Sequence, residues 1–182
     1  KVYSDPFIVY HFHIRAWICI SQAYKKRVLL LEILSSIFEL NEEIYRMSDK
    51  KLGEELYKRL KGRRYLIVLD DIWNVGVWDD LRRYFPNDNN GSRVILTTQL
   101  TDVALHAKPA SPPHYLRPLT EDESWDLLEQ KVFQNESCPP ELLKIGQLIV
   151  KKCRGLPLAI VVVAGLLAKK EKKQDWWNQV AE

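Results

Sequence analysis

At 182 residues the chain is long enough to bury a real core and fits one domain or one and a fraction. Its hydrophobic fraction of 46% and charged fraction of 28% are ordinary for a soluble globular protein. The net charge is only +3, and Lys and Arg are spread among acids along helical stretches, so the single dense stripe of a nucleic-acid binder is excluded.

In chain order, Val9 to Ile20 is strand-like, with aromatic and β-branched residues around Phe12, Ile14, Trp17, Ile18 and Ile20. Helical periodicity follows from Lys25 to Leu40, where Val28, Leu31, Ile33, Leu34, Ile37 and Phe38 predict a broad buried stripe. Ser48 caps a second helix carrying Leu52, Leu56 and Leu60, and Gly62 closes it in the left-handed conformation. Next, Tyr65-Leu66-Ile67-Val68-Leu69 runs without alternation, the pattern of a strand buried on both faces in a parallel sheet. A short helix around Val77 to Phe85 ends before Pro86, and Asn87 to Gly91 makes a turn into another buried strand, Arg93 to Thr98. Strands alternating with helices predict a parallel sheet with right-handed crossovers.

The composition changes after His106. Residues 108–113, rich in proline, read as a linker, and Tyr115 to Leu119 as a short extended piece. Thr120 followed by Glu123 forms a capping box that starts a helix with Trp125, Leu128 and Phe133 on its buried side. A second helix spans about Pro140 to Arg154 and stops at Gly155. Pro157 then opens a third, Leu158 to Ala168, expected to be a buried core helix because the apolar run is too short to span a membrane. A fourth holds Trp176 and Trp177. The last third is therefore a small helical bundle attached to an α/β layer.

The cysteines, Cys19, Cys138 and Cys153, follow no metal-ligand spacing, and Cys19 and Cys153 are expected as buried thiols of a reducing compartment. Lys1-Val2-Tyr3 lacks the order of a signal peptide, and the sole methionine is Met47, so the chain is expected to be cut from something longer.

Two carboxylates, Asp70 and Asp71, close the central strand. In an open α/β sheet ligands sit outside the carboxyl ends of strands, where these acids could hold a phosphate-bound Mg²⁺ and an attacking water. From this segment alone, a buried strand meeting a polar turn explains the residues equally well.

Four segments in order resemble the NB-ARC nucleotide-binding module of plant intracellular immune receptors: His13 to Gln22, the Leu66 to Trp73 block with the form of a Walker B element, Gly91 to Gln99 as its sensor strand, and Gly155-Leu156-Pro157-Leu158-Ala159 as its GLPLA motif. Trp73 after the paired aspartates looks like the coiled-coil class of receptor. The resemblance implies a P-loop NTPase-like α/β core over 1–107, truncated so that its first strand and P-loop are missing. A linker with a short extended segment over 108–119 and a helical domain over 120–182 would follow. It implies an ADP- or ATP-dependent switch in a cytoplasmic receptor, with Mg²⁺ as cofactor and at most weak ATPase activity, the fragment alone being inactive. ADP would hold the receptor closed, and exchange for ATP would let protomers assemble and signal pathogen perception. The other domains of the same receptor, a coiled coil and leucine-rich repeats, would be its partners.

By carry-over, Asp70 helps hold the metal and Asp71 polarises the hydrolytic water. Thr98 and Gln99 face the phosphate end, and Leu156, Pro157 and Leu158 pack against the adenine or ribose side. For Leu158 to Ala168 the plainer reading is core, with Pro157 as the exception. Two departures stand out. The chain contains no Gly-x-x-x-x-Gly-Lys-Ser/Thr, truncation just downstream of that loop being the expected reason, with Lys1 to Pro6 as the tail of the helix that follows it. Gln99 stands where the family usually has Arg, offering a neutral amide instead of a cation; the sequence fits both a degenerate paralogue and one tuned to switch differently. An interaction module with a vestigial, non-binding nucleotide site is the alternative.

Overall fold

The computed structural model describes residues 2–107, 112–134, 136–169 and 173–182, so that part of the expected linker, residues 108–111, lies outside the described residues. The chain divides into two compact units, Lys1–Pro113 and His114–Glu182.

The first unit is built on a parallel sheet of three strands, β1 (Ile14–Cys19), β2 (Tyr65–Asp70) and β3 (Arg93–Leu96), in the order β1-β2-β3. As its unbroken apolar run predicts, β2 is central, and Tyr65 to Leu69 are all buried. The pairing sets Ala16 beside Ile67 and Cys19 beside Asp70 on one side, and Leu69 beside Leu96 on the other. Because side chains alternate across a sheet, Ile14, Ala16 and Ile18 of β1 join Tyr65, Ile67 and Leu69 of β2 in one core. Helices α2 (Lys26–Ser35) and α4 (Asp49–Leu60) cover that core with Leu30, Ile33, Leu34, Leu52, Leu56 and Leu60, none of them exposed. The opposite face carries Arg15, Trp17 and Cys19, then Leu66, Val68 and Asp70, then Arg93 and Ile95.

Several expectations need correction. Residues 9–11 are not strand: Asp5 caps a short helix, α1 (Pro6–His11), by accepting the Phe7 N–H at 2.9 Å, and Pro6 at its first position fixes the helical φ. That cap outweighs the β-branched and aromatic content that follows it. Residues 2–4 form a 3₁₀ turn that stops before the Asp5 cap of α1. Helix α2 stops at Ser35, where the Ser35 and Ser36 hydroxyls both donate to the Glu32 carbonyl. Val28 is exposed, and Leu29 and Leu30 are buried in its stead. A further helix, α3 (Glu42–Arg46), is capped by Asn41, whose side chain accepts the Ile44 N–H at 3.0 Å. Strand β3 ends at Leu96 and is half-exposed, Ile95 at 48%, because it lies at the edge of the sheet. Cys19 is exposed and Cys153 half-buried, since Cys19 falls on the open face of β1.

Between β2 and β3 lie α5 (Val75–Leu81) and a 3₁₀ turn to Tyr84, followed after β3 by α6 (Thr101–Ala107). Gly62 takes φ 73° and closes α4 as expected.

The second unit contains α7 (Glu121–Phe133), α8 (Pro140–Lys152), α9 (Pro157–Ala168) and α10 (Gln174–Ala181) around Leu128, Leu142, Ile160, Ala164, Leu167 and Trp177. The capping box is present in full: Thr120 Oγ1 accepts the Glu123 N–H, and Glu123 accepts the Thr120 N–H at 2.9 Å. Helix α9 departs from its expected full burial. Only one stripe, Ile160, Ala164 and Leu167, is enclosed, while Leu158, Val162 and Leu166 are exposed. Among the described residues no helix is long and apolar enough to cross a membrane.

At the start of β2, the Tyr65 hydroxyl donates to the Pro86 carbonyl at 2.7 Å and ties the turn after α5 to the sheet. Burial, helped by the nearby Asp88 carboxylate, pushes its pKa up to about 12. A folded-state value above the unfolded one adds stability that is complete below the ordinary tyrosine pKa, near 10. That stability is lost as the pH rises through about 12. Alkaline denaturation should therefore steepen above about pH 10. Tyr65→Phe should flatten this loss while lowering stability at neutral pH by about 1 kcal/mol for the missing hydrogen bond. Chemical denaturation at stepped pH reads both; an unchanged alkaline slope would contradict the burial of the phenol.

Candidate functional site at the carboxyl ends of the strands

Asp70 is the last residue of β2, and alternation puts it on the open face, level with Cys19 across the ladder. Three neighbours contact its carboxylate: Thr97 Oγ1 donates to Oδ1 at 2.5 Å, Trp17 Nε1 donates to Oδ2 at 3.2 Å, and the Cys19 thiol lies 3.9 Å from the same oxygen. The chain leaves the sheet at Asp71, which takes a left-handed backbone with φ 61°. Aspartate tolerates that conformation better than most residues. Its N–H is captured by Thr97 Oγ1 at 2.9 Å, and its carboxylate accepts Trp73 Nε1 on Oδ2 at 3.2 Å and Gln99 Nε2 on Oδ1 at 3.3 Å. Thr97 thus accepts from one aspartate's backbone and donates to the other's side chain, which fixes where its single proton points.

Four of the predicted site residues, Asp70, Asp71, Thr98 and Gln99, are therefore gathered at one end of the sheet. Thr98 is more structural than expected: its hydroxyl donates to the Ile72 carbonyl at 2.6 Å and accepts the Leu100 N–H at 3.0 Å, pinning the end of β3 to the end of β2. Gln99 contacts Asp71 through its amide. Sequence reasoning does not single out Thr97 or Trp17 as site members. Thr97 lies within the sensor-strand segment, and its alternation with Ile95 is the available signal. Trp17 needs the β1–β2 register, which the sequence does not carry.

All donors to the two carboxylates in this cluster are neutral, so the hydrogen bonds orient the oxygens without cancelling their charge. Hard oxygens from one or two carboxylates suit Mg²⁺, which keeps several waters and takes its remaining ligands from substrate phosphates. Among the described residues no group of three or more His, Cys, Asp or Glu converges. The donor set therefore fits a metal that arrives with phosphate better than one held by protein alone.

Leu156, Pro157 and Leu158 belong to the second unit. Pro157 lines an open cavity of about 560 Å³ with Leu119, Glu123, Asp126, Leu127 and Gln130, a mainly apolar floor with a polar rim. Leu156 and Leu158 do not line it; they are 58% and 69% exposed. Leu119 and Leu127 are the apolar wall that sequence reasoning did not single out. Glu123 on the rim is engaged bidentately by Arg117, both contacts at 2.7 Å. That guanidinium, with the Thr120 N–H, brings its pKa down to about 2. Gly155 fixes the approach to Pro157. It has φ 69°, its carbonyl accepts the Leu119 N–H at 2.9 Å, and a Cβ there would overlap the Leu119 carbonyl oxygen.

A parallel sheet flanked by helices, with paired acids ending its central strand, defines a nucleotide-binding α/β core of the P-loop NTPase type. The NB-ARC domain family matches residues 1–138, and the chain belongs to that family. Among curated proteins it is similar to two late blight resistance protein homologs of Solanum demissum. They are 48% and 47% identical over 181 residues, the whole of this chain. The chain spans 14% of the length of either relative.

Gly155→Ala should destabilise the second unit by about 2 kcal/mol or more, combining a disfavoured positive φ with overlap against backbone that has no rotamer to yield. Thermal unfolding followed through the tryptophans of that unit checks it. A loss below about 0.5 kcal/mol would mean that the segment around Leu119 is free to move away.

Proposed function

We propose that the chain is the ADP- or ATP-dependent switch module of a plant disease-resistance receptor acting in pathogen defence. The observation that carries this reading is the meeting of Asp70 and Asp71 on Thr97 at the carboxyl ends of β2 and β3. Membership of the NB-ARC family supports it, as does similarity to proteins named for resistance to late blight. In this reading the module works in the cytoplasm beside an N-terminal coiled coil and leucine-rich repeats of the same receptor. ADP keeps it closed, and ATP promotes self-association.

Asp70 would hold Mg²⁺, which when bound supplies charge neutralisation for the nucleotide phosphates. Asp71, turned out of the strand by its left-handed backbone, would accept a proton from and orient the water, and Gln99 sits against it. Thr98 keeps the two strand ends in register. Pro157, with Leu119 and Leu127, would offer the apolar wall for the base or ribose, while Leu156 and Leu158 flank it. Catalysis of this kind is positioning and charge stabilisation, so a weak ATPase is the expected ceiling. The alternative, an interaction module with a vestigial site, is separated by the gene upstream of Lys1. A Gly-x-x-x-x-Gly-Lys-Ser/Thr within about thirty residues, one βα unit, supports the switch, and its absence the alternative.

In a chain extended to include such a loop, Asp70→Ala should weaken Mg²⁺-dependent ATP binding by roughly tenfold or more, while Asp71→Ala should mainly slow hydrolysis. Calorimetric titration and single-turnover hydrolysis separate the two effects; variants that match the parent in both would refute the roles.

Gln99→Arg tests the phosphate end. A guanidinium there gains a charged hydrogen bond worth about 1.5–3 kcal/mol to charge that ATP has and ADP lacks. Its position against Asp71 diverts part of that gain. Preference for ATP over ADP should rise by roughly threefold to tenfold in competition binding. An unchanged preference would place Gln99 away from the terminal phosphate.

A further inference from the structure

We propose that Trp17 and Trp73 are positioning residues for the carboxylate pair, Trp17 setting the orientation of Asp70 and Trp73 that of Asp71. The proposal rests on the reading of Asp70 and Asp71 as the cation end of a nucleotide site and extends it to two residues outside that pair.

Each indole N–H reaches one carboxylate, at 3.2 Å in both cases, and each takes Oδ2. The other oxygen of each acid is held by a different neutral donor, Thr97 on Asp70 and Gln99 on Asp71. With both oxygens engaged, the plane of each carboxylate is fixed. An indole N–H is a donor only. Trp17 and Trp73 can therefore act on a cation here through the aspartates and not as metal ligands.

The two rings come from opposite directions in the chain. Trp17 pairs with Val68 across the ladder, so Asp70 is its diagonal neighbour, within reach of a long aromatic side chain. It is held from behind by Tyr3, edge-on at 5.5 Å. Tyr3 is itself fixed by Arg15, whose guanidinium lies 5.2 Å from the ring and donates to the Tyr3 carbonyl at 2.9 Å. Burial alone does not account for the placement, because Trp17 remains 48% exposed while its N–H is spent on Asp70. Trp73 follows Asp71 by two residues, and the left-handed turn at Asp71 brings its ring back onto the carboxylate that precedes it. Loss of a hydrogen-bonding neighbour that orients a metal ligand typically weakens metal binding by 10–100-fold.

The six tryptophans give six indole N–H resonances in the ¹⁵N-labelled 182-residue chain. Asp70→Asn should shift the Trp17 resonance and leave that of Trp73 in place, and Asp71→Asn should do the reverse. Trp17→Phe keeps the ring against Tyr3 but removes the donor. With ADP present, it and Trp73→Phe should each weaken Mn²⁺ binding, read by electron paramagnetic resonance, by roughly tenfold, with Trp78→Phe unchanged. Indole resonances indifferent to both aspartate substitutions, or Phe variants that bind Mn²⁺ like the parent, would overturn the proposal. A parent that holds no Mn²⁺ would count against the cation reading itself; the paired indole shifts would still decide whether the indoles orient the aspartates.

Discussion

The placement of β2 between two parallel neighbours is the constraint on which the rest of the first unit depends. A strand buried along its length, with both edges paired, has one register and one direction, so its last residue emerges at a fixed point. That residue is Asp70. The ladder continues just past it, with the Ile20 N–H on the Asp70 carbonyl at 2.9 Å and the Ile72 N–H on the Thr97 carbonyl at 2.8 Å. The left-handed Asp71 sits between these two bonds, and the backbone on either side leaves it little freedom. Strain of order 1 kcal/mol at such a residue persists only where its surroundings over-determine it.

Electrostatics then separates the acids of the two units. Asp70 and Asp71 are held by hydroxyl, amide and indole donors, which orient charge without neutralising it. Glu123 is closed off by the Arg117 fork and the Thr120 cap, and its low pKa reflects that pairing. An incoming cation therefore finds open charge at the strand ends, whereas the Glu123 charge is already compensated.

The features written in local chemistry were legible before any coordinates. The unbroken run from Tyr65 to Leu69 marked the central strand, the paired aspartates marked its end, and Thr120 with Glu123 marked a helix start. What was not legible depended on register or on competition between local signals. Asp5 and Pro6 begin a helix ahead of residues that otherwise favour a strand. Cys19 stands on the open face because β1 alternates, although its neighbours are apolar. Helix α9 is apolar all round, so nothing in its pattern marked Leu158 and Leu166 as outward-facing. The contact of Trp17 with Asp70 spans 53 residues and exists only once β1 and β2 are paired.

Paramagnetic broadening by Mn²⁺ tests the central claim, that the strand-end aspartates attract a divalent cation, most directly. Titrating the ¹⁵N-labelled chain with Mn²⁺ and ADP should broaden the Trp17 and Trp73 indole signals first, with Trp78, which stacks on Phe85 near the start of β2, affected only at higher concentration. Loss of Trp78 before the strand-end pair, or no selective broadening at all, would contradict the account.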